Sequence, residues 1–201
     1  MGAGRQFLET PSPWKRGLFH MLGGLFICIA GLFLPGMFVV ISLCLATAIF
    51  LSFELIRIKS PAINRWFFSF FKLLVREGES SRLTGTSYML IAALIAFLVF
   101  PRDIAALGLA FLAVGDSMAT IVGKKIGRRK FLGKTLEGNL ACFTCCVVVG
   151  LVFYYAGLGV PLLTILLGAL CATVVEAMPL PVNDNLTIPL LSGAVMTVMQ
   201  L

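Results

Sequence analysis

The sequence predicts an all-α, polytopic membrane helix bundle with about seven transmembrane helices and one amphipathic helix at the interface. Three observations carry this. Hydrophobic residues fill 59% of the 201 positions and charged residues only 12%, about half of the roughly 25% charged residues of soluble domains. Mean hydropathy is +1.02. The apolar residues fall into successive runs of membrane-helix length, and the basic residues sit in the short segments between them. The net charge of +7 therefore reads as topology, and nucleic acid is not an expected partner. No soluble domain, fixed-period repeat or low-complexity tract interrupts the pattern, so residues 1–201 read as one integral membrane domain.

Residues 1–16 are polar and end in Trp14-Lys15-Arg16, an aromatic and basic interface anchor. Gly17–Leu34 is the first apolar run; without a convincing cleavage site after it, it reads as a retained helix. Pro35-Gly36 then makes a tight turn into a second span, Met37–Phe53, which ends near Glu54 and Arg57. In Ser60–Glu79 the period changes. Ile63, Trp66, Phe67, Phe70, Phe71 and Leu74 share one helical face, with Arg65, Lys72 and Arg76 elsewhere. That pattern predicts a helix in the headgroup plane, with Ser60 as N-cap and Pro61 in the first turn.

Thr84–Phe100 is the third span, closed by Pro101-Arg102-Asp103. The fourth, Ile104–Val122, is rich in Ala and Gly. Small residues let helices approach closely in lipid, so this span is expected at the bundle centre. Leu140–Ala156 and Val160–Val175 are the fifth and sixth. Leu186–Leu201 is a short seventh, about 24 Å long if helical throughout. Six cysteines, Cys28, Cys44, Cys142, Cys145, Cys146 and Cys171, all lie in these runs. Cys142 and Cys145 form a CxxC without a second pair or a nearby His, and read as small buried residues.

Charge sets the orientation. Of sixteen Lys/Arg, only Arg102 falls outside the N-terminal segment and the loops after the second and fourth spans. The positive-inside rule then places the N-terminus and those loops in the cytoplasm. His20, Glu54, Arg57, Glu79, Asp116, Lys134, Glu137, Glu176, Asp184 and Asn185 all lie at or near that side. A transporter would carry polar groups nearer mid-depth on several helices.

Chemistry concentrates in Gly115–Asn139. Asp116 lies about 10 Å below the helix end at Gly123. A carboxylate at that depth is costly, by about 3 kcal/mol on insertion scales, and so marks a functional site. Asp116, Glu137, Glu176 and Asp184 are the oxygen ligands Mg²⁺ takes alongside substrate phosphates. Lys124, Lys125, Arg128, Arg129, Lys130 and Lys134 could bind phosphate. Gly115, Gly123, Gly127, Gly133 and Gly138 permit close backbone approach. Asp116, Ala119 and Gly123 share one helical face, leaving room beside the carboxylate. The residues alone thus point to metal-assisted phosphate chemistry at the cytoplasmic face.

Gly115-Asp116-Ser117, Gly123, Gly127 and Lys134-Thr135-Leu136-Glu137-Gly138 resemble the core motif of the dolichol kinase, phytol kinase and CTP-dependent diacylglycerol kinase family. Glu176, Pro179, Asn183-Asp184-Asn185, Thr187 and Pro189 are similar to its second motif. Lys15-Arg16 with His20, and Glu79 through Thr84-Gly85, resemble its segments before the first and third spans. The resemblance implies transfer of the γ-phosphate of CTP, with Mg²⁺, to the hydroxyl of a membrane lipid alcohol such as a polyprenol or dolichol, phytol or diacylglycerol. It implies Asp116, Lys134, Glu137 and Asp184 as catalytic residues, with Asp116, Glu137 and Asp184 at the metal. Gly115, Ser117, Gly123, Lys124, Gly127, Lys134, Thr135 and Asn185 would bind the nucleotide. His20, Glu79, Thr84 and Gly85 would face the acceptor. His20 also reads as a snorkelling interfacial residue, and Asp184-Asn185 as a helix cap.

Two alternatives remain beside this reading. A phosphatidate cytidylyltransferase would also use CTP, a basic loop and membrane carboxylates, but its downstream His-Gly-Gly…Asp-Arg-x-Asp pattern is absent. A small transporter or scaffold is the non-enzymatic alternative. Small helix bundles often form dimers, so a homodimer is one expected assembly, and no residue pattern specifies it.

Overall fold

The computed structural model describes residues 13–71 and 77–200. The expected basic residues Arg5, Lys72 and Arg76, and the apolar Leu74, lie outside them. Helix α1 (Pro13–Phe33) turns at Pro35 into α2 (Gly36–Lys59), as the Pro-Gly pair requires. The guanidinium of Arg102 donates to the carbonyls of Gly31 and Leu34, which the end of α1 would otherwise leave unsatisfied.

The expected amphipathic segment is described only in part, since residues 72–76 lie outside the described residues. Helix α3 spans Pro61–Phe70, with Pro61 in the first turn and no side-chain bond from Ser60. Phe67 is buried against Phe53 at 5.5 Å, whereas Trp66 and Phe70 stack on each other at the surface.

Helix α4 (Gly85–Val99) precedes the central element. This is one 25-residue helix, Arg102–Ile126, made of α5 (Arg102–Ala110), a π-helical turn (Phe111–Asp116) and α6 (Ser117–Ile126). Every residue from Ile104 to Ala113 is buried, as its small-residue composition predicts. Its neighbours come close for the same reason. A Cβ on Gly24 of α1 would stand 2.7 Å from that of Ala113, and one on Gly108 would stand 3.0 Å from the Pro189 carbonyl oxygen. A π turn leaves the helical ladder out of register, and such turns recur at functional sites. Here the Cys146 thiol donates to the carbonyl of Phe111 at 3.8 Å, and Asp116 ends the turn.

After α6 the chain makes a two-stranded antiparallel ladder, β1 (Lys130–Phe131) and β2 (Lys134–Thr135), where the sequence suggested only a loop. Leu132 and Gly133 turn it with φ of 50° and 102°, the paired positive φ of a tight hairpin that suits strand twist. Helices α7 (Leu136–Tyr155), α8 (Leu162–Ala177) and α9 (Asp184–Val198) complete the bundle.

The result is an all-α polytopic bundle apart from that ladder. Four described helices, within α1, α2, the α5–α6 unit and α7, are long and apolar enough to cross a membrane. Helices α4 and α8 are apolar but shorter, at 15 and 16 residues. Helix α9 has 15 residues and packs on α4 and α8.

Candidate active site

The start of α1, the loop before α4, the π turn and α6, the hairpin, and the facing ends of α7, α8 and α9 surround a cavity of about 1010 Å³. Its walls are built by three local devices.

The hairpin supplies the first. The Leu132-Gly133 turn brings β2 back beneath the end of α8, and Lys134 Nζ donates to Glu176 Oε1 at 2.8 Å and Asp184 Oδ2 at 3.0 Å. Burial draws the Lys134 pKa down. The hydrogen bonds and charges of Glu176 and Asp184 outweigh that and hold it above the ordinary lysine value. Glu176 is nearly inaccessible, and Asn139, with its amide nitrogen turned toward it, reaches Glu176 Oε2 at 3.2 Å. Asp116 lines the same cavity, with Ala119 and Gly123 beside it on one face of α6, as their spacing predicts.

The second device is close approach of α6 and α7. Thr135 caps α7, its Oγ1 accepting from the Gly138 N–H at 3.3 Å. A Cβ on Gly123 would meet Thr135 Oγ1 at 2.7 Å, and one on Gly138 would meet the Ala119 carbonyl oxygen at 2.8 Å. Gly115 faces the sulfurs of Cys146 and Cys142 in the same way, at 2.7 and 3.0 Å. Of the glycines that the sequence offered to phosphate, Gly115, Gly123, Gly127 and Gly138 are thus used in close packing and Gly133 in the hairpin turn, although Gly123 and Gly138 also line the cavity.

A buried ion pair provides the third. Arg57 and Glu54 are both fully buried and make two hydrogen bonds, Nε to Oε1 at 3.1 Å and Nη2 to Oε2 at 3.0 Å. The same guanidinium donates to the carbonyls of Glu79 and Arg82, and the Glu54 carboxylate accepts from the Thr84 N–H at 2.8 Å. Glu79 Oε1 accepts from the Gly85 N–H, and Asn185 Nδ2 donates to the Gly85 carbonyl at 2.9 Å. A Cβ at position 85 would lie 2.6 Å from Asn185 Nδ2, so a larger residue would displace that amide from the Gly85 carbonyl. Asn183 caps α9 by accepting from the Asn185 N–H, so Asp184 is free to serve Lys134.

His20, Glu79, Asp116, Ser117, Gly123, Lys124, Lys134, Thr135, Asp184 and Asn185 therefore meet at one cavity, with Arg16 and Arg82 also on its wall. Ser117 is already engaged, donating to the Gly17 carbonyl at 3.0 Å. Thr84 and Gly85 line an adjoining smaller cavity. Gly115, Gly127 and Glu137 line neither cavity. The Glu137 carboxylate instead accepts from the Arg129 N–H at 3.3 Å. Lys125, Arg128, Arg129 and Lys130 are exposed, as topology alone would have them. Asn139 and Arg82 were not in the predicted site, and Glu54 and Arg57 were placed on its side of the membrane but given no role in it. Only the i, i+3 spacing of the pair carried a signal.

Among the described residues, no three His, Cys, Asp or Glu side chains stand close enough to hold a resident metal ion. Glu176 and Asp184, bridged by one ammonium on a cavity that Asp116 also lines, suit Mg²⁺ that arrives with phosphate. Such an ion keeps several waters and takes only one or two carboxylates.

No protein-family model matches the chain, and no solved structure matches it. Among curated proteins, Rickettsia prowazekii RP860 is 30% identical over 88% of this chain and 89% of its own length. The probable phytol kinase 1 of Glycine max is 31% identical over 62% of this chain, which spans 47% of that protein. The CTP-dependent diacylglycerol kinase 1 of Schizosaccharomyces pombe is 28% identical over 71% of this chain and 72% of its own length. A helical membrane bundle with carboxylates and lysine around one polar cavity is in keeping with those names, and the chain belongs to the membrane lipid kinase family of the phytol kinases and CTP-dependent diacylglycerol kinases.

Proposed function

We propose that the chain is a CTP-dependent lipid kinase that moves the γ-phosphate of CTP to the hydroxyl of a membrane lipid alcohol, with its cavity facing the cytoplasm. The relatives' names support the donor and the class of acceptor, and the placement of fifteen of sixteen Lys/Arg supports the orientation. One observation carries the reading above all: Lys134 is held between Glu176 and Asp184 on the wall of a cavity that also presents Asp116.

Phosphoryl transfer asks the protein for positioning and charge neutralisation. Lys134 would turn from its two carboxylates to the triphosphate, and Glu176 and Asp184 would then hold Mg²⁺. That ion, when bound, would neutralise charge on the transferring group. Lys124, Arg16 and Arg82 add positive field on the cavity wall. The acceptor oxygen attacks the γ-phosphorus, the bond to the β–γ bridging oxygen breaks, and CDP leaves with that electron pair. Asp116 takes the hydroxyl proton and passes it to water.

The test is purified protein in micelles with γ-labelled CTP, Mg²⁺ and a panel of lipid alcohols, run beside Asp116→Asn. Label in a lipid, CDP as co-product and a silent but folded variant are expected. Pyrophosphate released from CTP and phosphatidate, with no labelled alcohol, would replace the reading with a cytidylyltransferase.

A further inference from the structure

The smaller cavity, about 110 Å³, adjoins the large one, and Arg16, His20, Glu79 and Asn185 face both. Its lining is of two kinds: Phe19, Phe50, Phe67 and Phe71 are aromatic, and Arg16, His20, Glu79, Thr84, Thr86 and Asn185 are polar. Phe19 is 50% exposed while Thr84 is 3% exposed, so the cavity runs from the outer surface of α1 into the interior. Beyond their shared turn α1 and α2 hardly touch. Helix α1 packs on α5 and α6, and α2 on α3 and α4. Phe19 and Phe50 therefore line the cavity from two helices, α1 and α2, that leave a gap between them.

At the inner end, the Thr84 backbone is pinned by Glu54, and its buried Oγ1 has no hydrogen-bond partner among the described residues. A buried hydroxyl left in that state asks for a ligand atom.

We propose that this cleft is the acceptor subsite, a proposal that rests on the kinase reading above. The first carbons of a single-chain lipid alcohol lie among the four phenylalanines. The hydroxyl meets Thr84 and Glu79 where the cleft joins the large cavity. Access is sideways from the bilayer between α1 and α2. Size selects the class: a cavity of about 150 Å³ holds benzene's six heavy atoms, so 110 Å³ holds about four or five. That is one isoprenoid-sized unit. The glycerol backbone of a diglyceride with its two ester groups has about ten heavy atoms, about twice what the cleft holds.

The experiment is photolabelling of the full chain in micelles, without CTP, by a long single-chain alcohol carrying a diazirine within a few carbons of its hydroxyl. Label is expected in the peptides holding Phe19, Phe50 and Phe67–Phe71. An unmodified single-chain alcohol should compete it away at least tenfold more effectively than a diacylglycerol of equal chain length. Phe19→Trp, at a half-exposed position where folding is not at stake, should cut labelling at least fivefold. In the coupled assay, Phe19→Trp and Thr84→Val should raise the acceptor KM at least fivefold and move the CTP KM less than twofold. Label confined to other helices, or equal competition by diacylglycerol, would overturn the proposal. The expected labelling pattern without CTP turnover would support the cleft as an alcohol site while sinking the kinase reading.

Discussion

Glu54 and Arg57, one helical turn apart on α2 and both inaccessible to solvent, form a two-point ion pair that anchors the loop leading into α4. Truncating one member of such a pair strands the other charge in the interior. Arg57→Met also removes the donor from the carbonyls of Glu79 and Arg82. The expected loss is about 3–5 kcal/mol. Adding Glu54→Gln should recover part of it, because no uncompensated charge then remains. Equilibrium unfolding in micelles of the two single variants and the double variant checks this. Equal stability of Arg57→Met and the parent would remove the anchor.

Lys134 is expected to act on the nucleotide as well as to bridge Glu176 and Asp184. Lys134→Met should lower turnover about 100-fold, the scale of losing one preorganised donor at a developing charge. Lys134→Arg, which keeps the charge but not the compact ammonium, should recover only part. Initial rates at saturating CTP, beside melting midpoints, separate a chemical loss from an unfolding one.

The pH dependence of the same residue has a definite sign. Glu176 and Asp184 raise its pKa in the folded chain. Its stabilising contribution is therefore fully present below the ordinary lysine pKa of about 10.4 and is lost as pH rises through the raised folded value. The melting midpoints of the parent and Lys134→Met should differ by a constant amount from neutral pH to about pH 10. They should converge at higher pH. Convergence near neutrality would mean that the bridge is not charged as described.

Close contact of α6 and α7 sets the Lys134 hairpin in place, so a methyl group there should disturb both. Gly138→Ala would bring its Cβ within 2.8 Å of the Ala119 carbonyl oxygen and 2.9 Å of Thr135 Oγ1. Overpacking of this kind costs about 1–3 kcal/mol, and the CTP KM should rise with it. Gly36→Ala, where an added Cβ meets nothing within 4 Å, is the control. A melting midpoint for Gly138→Ala that matches the control would show that α7 yields freely.

The same contact explains what the sequence made legible and what it did not. Apolar runs and basic loops are one-dimensional signals, so the bundle and its central small-residue helix could be read directly. The face of Asp116, Ala119 and Gly123 followed from helical spacing. Whether a glycine spares room for a phosphate or for a neighbouring helix is a three-dimensional matter. Gly115 and Gly127 proved to belong to packing. The hairpin at Leu132-Gly133 lacked the usual Asn-Gly signal. Asn139 reaches Glu176 only because α7 and α8 are neighbours, which no local pattern encodes. Phe71, which the amphipathic period counted as helical, continues the aromatic cluster just past the end of α3, 4.9 Å from Phe67.

Two carboxylates offered as metal ligands now part company. Asp184 stands 3.0 Å from the Lys134 ammonium on the cavity wall, whereas Glu137 lines neither cavity and accepts from the Arg129 backbone. Chelation should abolish turnover in the parent, and added Mg²⁺ should restore it. Asp184→Asn should raise the Mg²⁺ concentration for half-maximal rate at least about tenfold, as loss of a group that tunes a metal site does. The amide still accepts from Lys134, so the fold is kept. Glu137→Gln should shift the Mg²⁺ requirement less than about twofold, since hydrogen bonding to the Arg129 N–H survives in the amide. Titrating Mg²⁺ against initial rate in the three proteins decides between them. An unmoved half-maximum in Asp184→Asn, with a large shift in Glu137→Gln, would place the ion beside the hairpin backbone instead of in the cavity.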